Sequence, residues 1–197
     1  MLKNKKIISS IIILLAIVLC TGSFVYFNNK KDNKKETTYL SASWAYNYSD
    51  IEEISQASDL IALVTVKDVE NTTVENNIPY TTFSAEVNTP VYNSNEGEKL
   101  SIYMTGGETT DSITELKDDP LLQKGDEILV FCKKNTDGTY QIISGPQGRL
   151  VYTDGKLNSL NVINTRVKQE NPYSNIKIQN ADAVALISEI KGYVNNN

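Results

Sequence analysis

Histidine is absent from the 197 residues. Its absence removes the commonest neutral-pH general base, every Ser-His or Cys-His pair, and every zinc site that needs imidazole. Cysteine is nearly absent too, with only Cys20 and Cys132. Cys20 lies in an apolar run and Cys132 in a segment with strand character, so no internal disulfide frame is expected and the body must rest on its core. Cys132, between Phe131 and Lys133, reads as a small buried hydrophobe. Basic charge is scarce beyond the first 35 residues: from Glu36 onward 12 Lys and Arg face 23 Asp and Glu, a net of −11 against −5 for the whole chain. Such a surface repels a phosphate backbone, so no nucleic-acid partner is expected.

What is present begins with an address. Residues 7–27 carry no charge, with Ile7, Ile11, Leu14, Leu19 and Phe27 marking the run, and Lys3, Lys5 and Lys6 precede it. A helix of that length reaches roughly 30 Å at ~1.5 Å per residue, enough to cross bilayer hydrocarbon. An uncleaved single-pass anchor, a cleaved signal ending near Thr21, Gly22 and Ser23, and lipidation at Cys20 are the three readings. The bulky Leu19 before Cys20 fits the third poorly. Each places the body outside the cytoplasm, membrane-held or secreted. The expected organisation is a signal anchor or signal peptide over 1–27, a stalk and aromatic lead-in over 28–49, and a β-rich domain over 50–197. Lys30, Lys31, Lys34 and Lys35 give the stalk a basic surface suited to anionic lipid heads.

In the lead-in, Trp44, Tyr46 and Tyr48 alternate. They read as packing against the domain, a short edge strand, an interfacial anchor or part of a partner surface. Asp50 with Glu53 three positions on signals a short helix carrying Ile51, Ile54 and Ala57. Residues 60–70 are apolar on both faces at first, with Leu60, Ala62, Val64 and Val66 on one side and Ile61, Leu63 and Val69 on the other. Phe83, Ala85 and Val87 alternate with Thr82, Ser84 and Glu86, and Leu100, Ile102 and Met104 repeat the period. Residues 127–133 form a further apolar segment, and the turns at 135–138 and 154–155 read as hairpins. Asn180 is the expected cap of a closing helix with Ala181, Val184, Ile187 and Ile190 inward. The pattern predicts a mainly β fold with short flanking helices, an OB-like antiparallel barrel following the apolar N-terminal helix.

The segments Ala57-Ser58-Asp59-Leu60-Ile61-Ala62-Leu63-Val64, Gly125-Asp126-Glu127-Ile128-Leu129-Val130-Phe131 and Gly145-Pro146-Gln147-Gly148 resemble a group of exported Gram-positive proteins with an OB-like barrel. That resemblance covers roughly residues 50–160 and implies location and fold more than activity. The barrel is also similar to the netrin-like domain of tissue inhibitors of metalloproteinases, in which a mature N-terminal cysteine chelates the target's zinc. Here Cys20 lies in the apolar run ahead of a stalk and no disulfide cysteines follow, so none of that family's functional residues carries over.

Chemical constellations are weak. Glu108, Asp111, Glu115, Asp118 and Asp119 in residues 106–120 offer hard oxygen ligands without calcium-loop spacing, and read first as a solvated loop. Glycoside hydrolysis would need two carboxylates at a set separation that spacing does not fix. Gly145-Pro146-Gln147-Gly148-Arg149 lacks the helix and the Lys-Ser/Thr ending of a phosphate loop and reads as a turn. Arg149 is expected to pair with an acid inside the barrel or to meet a partner. Ser101, Ser112 and Ser144 have no histidine. No residue pattern calls for a cofactor. The reading is an exported, membrane-tethered binding module for a protein or cell-envelope component, with Trp44, Tyr46, Tyr48 and Arg149 as candidate partner residues. The alternatives are an acidic-residue hydrolase with a divalent metal, and a membrane accessory or immunity-like protein.

Overall fold

The computed structural model describes residues 35–160 and 175–195. The apolar run 7–27 and Cys20 lie outside them, as do residues 161–174. Among the described residues no helix is long and apolar enough to cross a membrane. The chain divides into Met1–Lys35 and Glu36–Asn197, so the lead-in belongs to the same unit as the β-rich body.

The body is mainly β and contains a closed five-stranded barrel. Strands β2 (Leu60–Glu75), β3 (Ile78–Tyr92) and β4 (Lys99–Thr105) form an antiparallel meander. β7 (Glu127–Lys134) and β8 (Tyr140–Ile142) form a hairpin. The ring closes where β8 runs parallel to β4 and β7 runs antiparallel to β2. Closure leaves no free edge around the ring, the usual hazard of an open sheet. The sheet continues outward from β7 through β9 (Arg149–Thr153), β10 (Lys156–Ser159) and β11 (Ala181–Asp182).

Side-chain alternation gives this sheet two apolar layers. Leu60, Ala62, Val64 and Val66 of β2 join Phe83, Ile102, Val130 and Cys132 inside the barrel. Ile61 and Leu63 project to the opposite side, where Leu129, Phe131 and Leu150 meet the helices α1 (Ile51–Ala57) and α2 (Ala183–Asn195). Val69 belongs to neither layer: register shifts flank it and it lies exposed. Burying a side chain such as Phe131 or Ile190, both sealed from solvent, contributes about 1.5–3 kcal/mol each.

Both helix starts follow from side-chain chemistry. Asp50 Oδ1 accepts the Glu53 N–H at 2.9 Å, as the spacing predicted. At α2 the expected start is two residues early. Asp182, not Asn180, accepts the Ala185 N–H, and the inward residues are Ala183, Leu186, Ile187, Ile190 and Val194. Val184 is 80% exposed. Asn180 instead takes a left-handed turn with φ +50°.

Residues 106–120 are not a plain loop. β5 (Gly107–Glu108) and β6 (Ser112–Leu116) pair antiparallel, and β1 (Glu36–Leu40) lies parallel to β6 with Glu36 opposite Ser112. This small sheet ties the start of the body to the excursion between β4 and β7. Beyond the barrel, β2 and β3 continue as a ribbon turned at Asn76 and Asn77, both with positive φ, the geometry of a tight hairpin turn.

Candidate functional site

The lead-in is held by the turn over Gly145–Gly148. Gln147, only 3% exposed, accepts the Tyr48 N–H through Oε1 at 3.1 Å. Its Nε2 donates to the Tyr48 carbonyl at 3.0 Å and to Asn47 Oδ1 at 2.8 Å. Ser144 Oγ donates to the Tyr46 carbonyl at 2.8 Å. These contacts take the backbone groups that a strand ladder would need. Residues 44–48 are therefore not an edge strand, although their side chains alternate.

Trp44 closes the same turn from outside. Its indole N–H donates to Asp118 Oδ2 at 3.2 Å, and its six-membered ring lies where a β-carbon on Gly145 would sit. Glycine is required there on two counts, since φ at Gly145 is +50°. On the far side of the turn Arg149 is 2% exposed. Its Nη2 lies 2.5 Å from Asp119 Oδ1 and 2.6 Å from the Pro120 carbonyl. Of its two expected uses, pairing within the fold is the one found, and the guanidinium is not free for a partner. Burial pushes the Asp119 carboxyl above the ordinary aspartate range, Arg149 acts against that, and Asp118 adds to it. Arg149 Nε and Asp118 Oδ1 are buried without a hydrogen-bond partner, so the pair is incompletely satisfied.

The remaining two aromatic candidates face outward. Tyr46 is 70% exposed and stacks on Tyr48, with ring centroids 6.3 Å apart and an interplanar angle of 22°. Directly after them an open groove of about 570 Å³ begins. One wall is the start of α1, with Asp50, Ile51 and Glu52; Ile176, Lys177 and Ile178 form a second; Leu186, Glu189 and Tyr193 of α2 complete it. Ile51, Ile176 and Leu186 are themselves buried against the outer apolar layer, which gives the groove an apolar floor. Three carboxylates and one ammonium stand on its rim.

The rim carboxylates are held by neutral donors. Glu52 accepts from Gln56 at 3.2 Å, and Glu189 accepts the Tyr193 hydroxyl at 2.5 Å. That bond and the surrounding carboxylates push the Tyr193 hydroxyl up to about 12. The i, i+4 spacing of Glu189 and Tyr193 was legible in the sequence as a helix-face pair, but without α1 nothing marked it as a rim.

The acidic set is dispersed. Glu108 and Asp111 are exposed, Glu115 lies on β6, Asp118 is bonded to Trp44, and Asp119 to Arg149. Among the described residues no group of three or more Cys, Asp or Glu is placed to hold a metal ion. Ser144 donates to the Tyr46 carbonyl, and Ser112 bonds with Thr109. Cys132 is fully buried, and burial alone pushes its thiol pKa upward, away from reactivity. Compared with known proteins, the chain matches no family model, no curated protein and no solved structure.

Proposed function

We propose that the chain is an exported, membrane-tethered binding module. The helical cover outside its OB-like barrel carries, between α1 and α2, a groove that receives a protein or cell-envelope component. The observation that carries this reading is the open groove of about 570 Å³, with an apolar floor and carboxylates on its rim. Ligand sites are concave and combine apolar surface with placed polar groups, and this groove sets an apolar floor of Ile51, Ile176 and Leu186 beside a polar rim of about equal extent. The OB-like assignment is supported by the strand order: a three-stranded meander, closed by a hairpin whose second strand lies parallel to the third. Export and tethering rest on the charge-free run 7–27 behind its lysines.

Two measurements test the proposal. Protease added outside intact cells should digest the body; protection while an external control is cut refutes the placement. A photo-cross-linking residue at Tyr46 should capture a specific envelope component, lost when Ala181, which also lines the groove, is replaced by the bulky tryptophan (Ala181→Trp). Capture that is identical from an exposed site elsewhere, such as Val74, refutes a binding role for this face.

A further inference from the structure

The groove has a charge that narrows its ligand. Asp50, Glu52 and Glu189 stand on the rim against Lys177 alone, leaving a local charge of −2. None of the three carboxylates pairs with a cation among the described residues, whereas Asp59, Asp68, Asp119 and Asp182 all do. Their hydrogen bonds come from a backbone N–H, an amide and hydroxyl groups, so among the described residues no ion pair offsets their negative charge. Between them lies the apolar floor of Ile51, Ile176 and Leu186. An anionic headgroup or polymer would meet repulsion both here and from the acidic body. A short aliphatic stem ending in a cation fits both parts, since lysine and arginine lay their methylenes on apolar surface and keep the charged head at its edge.

We infer that the groove takes a basic, extended segment of a partner protein, with a lysine or arginine stem on Ile51 and Leu186 and its head at Glu52 and Glu189. This rests on the binding-module reading and names the partner chemistry of the same site.

The test uses the full chain in a nonionic detergent and the pentapeptide Lys-Ile-Lys-Val-Lys-amide carrying fluorescein on its α-amine, read by anisotropy at about 0.15 M salt. The comparison peptide replaces each lysine by serine. Glu52→Gln with Glu189→Gln should weaken the basic peptide about fivefold to tenfold, from two partly exposed charge contacts. A control of equal net charge, Glu96→Gln with Asp154→Asn, should leave affinity within about twofold. Melting curves of both variants check that the fold persists. Equal weakening by the two variants, or equal binding of the serine peptide, overturns the inference. If the basic peptide does not bind while cross-linking from Tyr46 still captures an envelope component, the charge inference falls and the binding module stands. Loss of both removes both.

Discussion

Replacing Arg149 by methionine keeps much of the stem and deletes the guanidinium. Asp119 then has no cation, and the Pro120 carbonyl loses the donor that sat at 2.6 Å. Two costs follow. An unpaired buried carbonyl costs about 1–3 kcal/mol. The carboxyl either stays charged in an apolar setting or takes up a proton, and protonation caps the penalty: at pH 7, about three units above an ordinary aspartate, it costs about 4 kcal/mol. Since the second figure is a ceiling, together these set an upper bound of about 5–7 kcal/mol, and the expected loss is the ~3–5 kcal/mol seen when one partner of a buried pair is removed. For a body of this size that lowers Tm by about 6–20 °C. The protonation cost shrinks to about 1 kcal/mol at pH 4.5, so the loss must be smaller in acid. The sign is fixed. Without Arg149 the folded-state pKa of Asp119 lies further above its unfolded value, so its contribution is intact below that unfolded value and is lost as pH rises. Urea unfolding followed by circular dichroism at both pH values measures the difference. The pair of Arg149→Met with Asp119→Leu should recover most of the loss, because Arg149 Nε lacks a partner even in the native chain. A loss under about 0.5 kcal/mol at pH 7, or an equal loss at pH 4.5, refutes the reasoning.

Gly145→Ala should eject the Trp44 ring from its seat and cost about 1 kcal/mol or more in backbone strain. Trp44 is the sole tryptophan, so a red-shifted emission reads the ejection directly, and an unchanged spectrum contradicts it. In a Cys20→Ser background, Cys132 should react with a thiol reagent only as fast as the domain unfolds, because it is sealed and its thiol is pushed up. Rapid labelling without denaturant would show the barrel wall to be open. The carboxyl of Asp59 is depressed, chiefly by the Lys133 ammonium and then by the Lys134 N–H. Its stabilisation is therefore present above the unfolded aspartate pKa and is lost as pH falls through the lower folded value. Asp59→Asn should flatten the acid limb of the stability curve, and superimposable curves would exclude the linkage.

The parts of this fold that sequence discloses are those decided by near neighbours. Both faces of β2, the alternation of Phe83, Ala85 and Val87, the Asp50 cap and the Asp154-Gly155 turn each follow from contacts within a few residues. What stays hidden is decided at long range. The pairing of Glu36 with Ser112 joins two polar segments that carry no apolar period. The Trp44 to Tyr48 alternation mimics a strand, and only Gln147, about a hundred residues away, diverts its backbone groups. On α2 the two-residue slip has a local cause that competes with another: Asp182 and Asn180 are both good caps, and the sheet pairing of Ala181 and Asp182 with β10 settles which one starts the helix. For the groove, Asp50 reads as a helix cap, but its union with Glu52 and Glu189 depends on how α1 meets α2.

Strands β2 and β7 act as a party wall, because alternate residues along each belong to opposite apolar layers. Neither the barrel nor the helical cover can melt while its neighbour stands, since each would strip one surface of the same partition. The amide protons of residues 60–65 and 127–132 should accordingly be the last in the molecule to trade with heavy water, and all with one common opening free energy. A partner seated against α1 and α2 would reinforce that wall from outside, and its grip would be felt at residues lining the opposite chamber.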